Sequence, residues 1–466
     1  MRYVSTRGQA APAGFTDVLL AGPAADGGLY MPEEWPLFSQ GEIRAMATKP
    51  YSEVALQIIR GFVGDAFAEE DLAADINAAY GTFAHQAIAP LSQLAPNLFL
   101  LELFHGPTLS FKDVAMQLLG RLFARALKQR GQRATVIVAT SGDTGSAAIA
   151  ALKGLPGLDL VVMHPKGRTS DVQRRQMTSV SEANVHNIAL EGTFDDTQSI
   201  VKALFADVDF ARATHLAAVN SINFARIAAQ SVYYFVAGAA LGAGYGRRAT
   251  FVVPTGNFGD VFAGEAAWRM GLPIERLVVA TNSNDIMARA LESGVYESGT
   301  AQPTLSPSMD IQVASNFERA LFEASNRDAN WLTEAMRTFA QSRRLGIVPE
   351  AREALRARYA AGRADDAQTL DAIKRIYEET GMTIDPHTAV AVHVAQQTVR
   401  DPAGPVVVLS TAHPAKFPDA VARATGEVPA MPRRLGDLMQ REERYVTLPN
   451  DVWQVRKFIL DHVGAS

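Results

Sequence analysis

The residue with the most evident chemical potential is the lysine at 112, set in the run HGPTLSFKD (His105 to Asp113). An apolar, strand-like stretch, LFLLELF (Leu98 to Phe104), precedes it, and a helix-patterned stretch, VAMQLLGRLFARAL (Val114 to Leu127), follows. Its amine is therefore expected at a strand-to-helix junction, where open α/β sheets carry out chemistry. Glycine, proline, serine and threonine ahead of it favour a turn whose backbone can approach a ligand closely. Such a lysine is either a carbonyl-reactive amine or a surface cation.

Two further runs repeat the pattern of buried strand, small polar turn and helix start. ATVIVAT leads into SGDTGSAAIAAL (Ala134 to Leu152), and ATFVVP leads into TGNFGDVFAGEAAW (Ala249 to Trp268). The β-branched runs suit strands covered on both faces, and the turns set glycines beside free N–H groups at a helix start, which attracts phosphate or carboxylate. Neither run carries the GK[ST] of a phosphate-binding loop, and neither matches GxGxxG. Each turn alone reads equally well as a helix cap. Three such junctions together, one of them carrying a lysine, favour a cofactor site.

The chain resembles the threonine synthase family, pyridoxal-phosphate (PLP) enzymes of the fold-type II group. The resemblance runs through YVSTRG (Tyr3 to Gly8), DGGLYMPEEWP (Asp26 to Pro36), HGPTLSFKD, SGDTGSAA, KGRTSDVQRRQMT (Lys166 to Thr178) and EGTFDDTQ (Glu191 to Gln198). It continues through NSINFAR (Asn220 to Arg226), PTGNFGD (Pro254 to Asp260), DPHTAV (Asp385 to Val390) and STAHPAKFPDAV (Ser410 to Val421). It implies an α/β fold in which two parallel-sheet domains enclose a cofactor cleft, with an N-terminal α+β segment at 1–97. The large PLP-binding domain is expected over 98–116 and 221–466, and a small mobile domain over 117–220.

The same resemblance implies the site. Lys112 would carry PLP. Gly256, Asn257, Phe258, Gly259 and Asp260 would cradle the cofactor phosphate, Asp143 would face the ring oxygen, and Thr411 would meet the ring nitrogen, with Ser410 as its rival. Many fold-type II relatives carry asparagine where this chain has Asp143. Ser141 and Thr144 would take the substrate carboxylate, while Asn220, Ser221 and Arg226 would take a substrate phosphate, arginine's planar fork suiting bidentate contact. Arg168, Arg174 and Arg175 are either further anion ligands or a solvated face. His105, His387 and His413 show no metal-ligand spacing, and no metal is expected.

The implied reaction is conversion of O-phospho-L-homoserine and water to L-threonine and phosphate, by γ-elimination and β-addition of water, the last step of threonine biosynthesis. A phospholyase of the same family, releasing a keto acid, and a catalytically silent binding paralogue are the alternatives.

Composition agrees with this reading. A chain of 466 residues can bury more than one core, and with a net charge of −5 it lacks the basic excess of a nucleic-acid binder. It has no cysteine, which rules out disulfides and thiolate chemistry and fits a cytoplasmic enzyme. The most membrane-like stretch, VYYFVAGAALGAGYG (Val232 to Gly246), is too short and too glycine-rich to span a bilayer and reads as a buried helix leaving through a turn. Further strands are expected at Leu158 to Pro165, Asn184 to Leu190, Arg276 to Thr281 and Pro405 to Ser410, and a helix at Pro386 to Val399. A loop at the active site or between domains is expected at Glu292 to Gln312.

Overall fold

The computed structural model describes residues 1–399 and 403–463. Two sheets dominate it. Six strands lie in the order Tyr359–Arg363, Ile274–Thr281, Ala249–Pro254, Val406–Ser410, Leu98–Glu102 and Leu91–Ala95. All are parallel except the last, which pairs antiparallel at the edge. The central strands Ala249–Pro254 and Val406–Ser410 are buried along their full length, as expected for β-branched runs with helices on both faces. The smaller sheet is wholly parallel, in the order Val446–Pro449, Val185–Glu191, Leu158–Pro165, Ala134–Ala139 and Leu216–Ala217.

The chain does not divide between the sheets as the sequence suggests. Residues 446–449 pair with Val185–Glu191, so this late strand joins the smaller sheet and not the larger one expected for everything after 221. The helix Val452–His462 follows it there, burying Val455 and Ile459 against Ile188, Leu190 and Leu204. The expected boundary at 116/117 also falls inside a single unbroken helix, Lys112–Arg130.

The N-terminal segment has the expected mixed character. A three-stranded antiparallel sheet (Arg2–Ser5, Ala13–Gly14, Tyr30–Pro32) sits beside helices Tyr51–Val63 and Glu69–Tyr80. Tyr3 explains its anchorage, donating to the Phe62 carbonyl at 2.8 Å and meeting the Phe224 ring edge-on. Phe224 opens the helix Phe224–Ala240, which is buried on nearly every side, so the apolar stretch is a core helix. It ends at Leu241 and leaves through a short 3₁₀ turn at Ala243–Tyr245. Among the described residues no helix is long and apolar enough to cross a membrane.

Candidate active site

The strand Leu98–Glu102 ends beside Val406–Ser410, and the loop after it is stitched to the residues after that neighbour. Phe111 N–H donates to the Thr411 carbonyl at 2.8 Å, and His413 N–H donates to the Leu109 carbonyl at 3.0 Å. Asp113, fully buried, accepts from both the N–H and the hydroxyl of Thr108, at 2.8 and 2.7 Å, and so folds the loop back on its own helix. Lys112 is the first residue of that helix, with only 12% of its side chain exposed. Burial pulls its amine below the ordinary lysine value; Asp143 opposes this, while Lys416 and Arg226 add to it.

Asp143 opens the helix Asp143–Leu152 on the smaller sheet, after a turn held by Thr140, whose hydroxyl oxygen accepts from the N–H groups of Gly142 and Gly145. Gly142 has φ +144°, and a side chain there would run into Gln173. One Asp143 oxygen lies 2.8 Å from Lys416 Nζ and from Gln173 Nε2; the other lies 3.6 Å from Lys112 Nζ and 3.2 Å from the Ser308 hydroxyl. Burial alone would raise this carboxyl, but Lys416 and Lys112 hold it far below the usual carboxylate range. The hydroxyls of Ser141 and Thr144 make no hydrogen bond among the described residues.

The turn after Ala249–Pro254 offers backbone rather than side chains. The N–H groups of Gly256, Asn257 and Phe258 find no acceptor among the described residues. A Cβ on Gly256 would lie 2.6 Å from the Ser308 carbonyl oxygen, so only glycine lets these two loops approach. Phe258 adopts φ +64° and turns its ring into the core against Phe317 and Tyr359. Asp260 does the same with its carboxylate: Oδ1 accepts from Tyr233 and Tyr234. Burial raises that carboxyl to about 7 against the pull of the two tyrosines.

Asn316 ties this turn to the NSINFAR run, its Nδ2 donating to the carbonyls of Asn257 at 3.1 Å and Ser221 at 3.2 Å. Arg319, completely buried, donates to the Asn316 side chain and to the carbonyls of Ile222 and Tyr30. Asn223, not Asn220, caps the helix that follows; Asn220 is exposed, and its side chain has no hydrogen-bond partner among the described residues. Arg226 sits in that helix's first turn, 4% exposed, with no hydrogen-bond or carboxylate partner among the described residues and with Nε wholly enclosed. Burial lowers this guanidinium to about 10, opposed by Tyr233.

The other candidates fall away from this cluster. Arg174 and Arg175 are occupied by Glu443 and by the Arg441 carbonyl, and Arg168 is exposed. His105 is bonded to Glu102 at 2.8 Å, and His413 caps a short turn. His387 accepts from Ser308 N–H through Nε2, and its Nδ1 meets the buried Asp385 at 2.8 Å. Ser410 shares a hydrogen bond with Thr388, in turn bonded to Asp385, whereas the Thr411 hydroxyl has no hydrogen-bond partner among the described residues. Sequence reasoning missed Lys416, Gln173, Ser308, Asn316 and Arg319. Lys416 and Gln173 stand inside runs already singled out, and a lysine in the otherwise apolar HPAKF was the available signal.

This fold and cleft have counterparts. A family model described as pyridoxal-phosphate dependent enzyme matches residues 84–365, which sets the class: an α/β enzyme that uses pyridoxal phosphate. Models described as threonine synthase N terminus and threonine synthase, C-terminal, match residues 2–80 and 388–459. The chain belongs to the threonine synthase family. It is 50% identical to threonine synthase of Pseudomonas aeruginosa, over 99% of this chain and 98% of that one. Its structure superposes on PLP-bound threonine synthase from Brucella melitensis with a TM-score of 0.97 and 51% identity, covering 100% of both chains. The corresponding figures for the yeast threonine synthase structure are 0.95 and 36%, covering 100% of this chain and 99% of that one.

Proposed function

We propose that the protein converts O-phospho-L-homoserine and water to L-threonine and inorganic phosphate, the last step of threonine biosynthesis, in the cytoplasm. Arg226 is the observation that carries this reading. A buried guanidinium without an anion costs several kcal/mol, and this one lies within electrostatic reach of the Lys112 amine. The free N–H groups at 256–258 supply a second anion site, so the cleft suits two phosphates.

The residues fit pyridoxal phosphate. Lys112 would bind its carbonyl carbon, the N–H groups of Gly256 to Asp260 would meet its phosphate, Asp143 would face the ring oxygen and Thr411 the ring nitrogen. The bound cofactor supplies an electron sink for charge that develops on substrate carbon. Ser141 and Thr144 would hold the substrate carboxylate. Ser221 and Arg226 would hold its phosphate, with the exposed Asn220 turning in over it. Lys112, its proton affinity lowered by burial, would take the proton from Cα and then from Cβ. Arg226 would balance charge on the phosphate as it leaves Cγ; one proton would return to Cγ to make the methyl group, water would add its hydroxyl at Cβ, and Cα would take back a proton. The smaller sheet, with its late strand, would be the unit that moves over bound substrate.

The test is to incubate the purified, PLP-loaded protein with O-phosphohomoserine and measure phosphate, threonine and 2-oxobutanoate together. Equal phosphate and threonine is the expected result. Phosphate with 2-oxobutanoate identifies a phospholyase, and no turnover favours a silent paralogue.

A further inference from the structure

We propose that Lys416 is a positioning residue for Lys112: it fixes an ionised Asp143 against the lysine loop and adds a second cation to the cleft. The proposal rests on reading Lys112 as the lysine that carries the cofactor.

The geometry is specific. Lys416 follows the strand Val406–Ser410 in a short turn, Pro414–Lys416, and its side chain is completely buried. Its Nζ donates to the Thr108 carbonyl at 2.7 Å and lies 2.8 Å from Asp143 Oδ1. Thr108 belongs to the loop that Asp113 folds onto the Lys112 helix, and its carbonyl also accepts from Gln176 Nε2 at 3.1 Å. A single ammonium group therefore joins the larger sheet, the lysine loop and the first residue of a helix on the smaller sheet. A lysine placed this deep is held by its partners; without Asp143 it would lose the carboxylate in direct contact with it.

Lys112 and Lys416 thus share one carboxylate, one on each oxygen. The charged groups that face Lys112 are Asp143, Lys416, Arg226 and, more weakly, Asp260. Those facing Lys416 are Asp143 and Asp113 along with Lys112. Removing Lys416 deletes a like charge beside Lys112 and leaves Lys112 as the ammonium group facing Asp143. Both changes favour the protonated form at the Lys112 nitrogen, so its titration must move to higher pH. Removing the Asp143 charge acts in the opposite direction.

The experiment is a pH titration of the visible absorbance of lysine-bound cofactor in holoenzyme, comparing wild type with Lys416→Met, Lys416→Arg and Asp143→Asn. Lys416→Met is expected to raise the midpoint by about one pH unit, from the Coulomb energy of charges a few ångströms apart. Lys416→Arg keeps the cation and should stay nearer wild type, and Asp143→Asn should lower the midpoint. An unmoved midpoint in Lys416→Met, or a shift of the same sign in Asp143→Asn, overturns the proposal. If Lys416→Met fails to fold, Lys416→Gln, which keeps a donor for the Thr108 carbonyl but no charge, decides: a raised midpoint supports the proposal and an unmoved one overturns it. Lys112→Ala separates the two readings, because a visible band that survives it removes Lys112 itself, whatever Lys416 does.

Discussion

Ser308 reaches Asp143 across the cleft, hydroxyl to carboxylate at 3.2 Å, while its own N–H is held at 3.2 Å by His387 Nε2. The larger unit thus touches the smaller one through a loop anchored by the Asp385–His387 pair. Ser308→Ala removes the bridge but leaves the anchor. A hydrogen bond to a charged group contributes about 1.5–3 kcal/mol to stability, so the melting temperature should fall by a few degrees, and kcat/KM should fall roughly tenfold where the bridge also orders the cleft. Steady-state kinetics beside a thermal melt check this; kinetics within twofold of wild type would mean that the contact is idle.

Lys112→Ala should abolish turnover with the fold intact. Asp143 keeps Lys416 and Gln173 as partners in that variant, so no buried carboxylate is stranded. Circular dichroism should match wild type, and the visible band of the lysine-bound cofactor should be gone.

Arg226→Ala should cost about 2–4 kcal/mol in transition-state binding, or thirtyfold to thousandfold in kcat/KM for O-phosphohomoserine. Cofactor retention should hold, since the cofactor phosphate is assigned to the 256–260 turn. Vinylglycine, which lacks the phosphate, should lose far less, and Arg226→Lys should recover only part of the activity. Equal losses for both substrates would move the substrate-phosphate site elsewhere.

Asp260 gives a pH signature in the cofactor-free protein. Its folded carboxyl titrates near 7, above an ordinary aspartate near 4. Below about 4 both states carry the proton and the group is neutral to stability. As pH rises from about 4 to 7 the unfolded chain releases its proton and the folded one keeps it, so stability falls, by up to ~4 kcal/mol. Asp260→Asn should flatten the curve of unfolding free energy against pH in that window. A wild-type curve that rises from pH 4 to 7, with the same rise in the variant, would contradict the assignment.

The parts of the fold that could be read ahead were those with local causes. The β-branched runs at 134–139, 249–254 and 406–410 are strands because their side chains pack on both sheet faces. Lys112 stood out because its turn and the flanking periodicities are contiguous in the chain. Lys416 did not, because its partner Asp143 is brought to it only by the packing of the two sheets. The edge strand Val446–Pro449 was missed for a different reason: it has one neighbour and no fully buried residue, so VTLP lacks the apolar signal of its partners. The NSINFAR run holds two asparagines, Asn220 and Asn223, and the sequence does not say which of them caps the helix. Asn223 takes that place and ties the helix to the Leu19 carbonyl at 2.8 Å.

That late strand also sets a timetable for synthesis. A ribosome makes the strand Val185–Glu191 some 250 residues before its outer neighbour exists. Throughout that interval the nascent chain carries an open, parallel-pairing edge, the kind of surface that recruits strands from other chains. Chaperone demand during translation, and sensitivity to cuts or fusions just ahead of residue 446, should therefore be governed by this edge rather than by the larger sheet, whose strands are all made before residue 411.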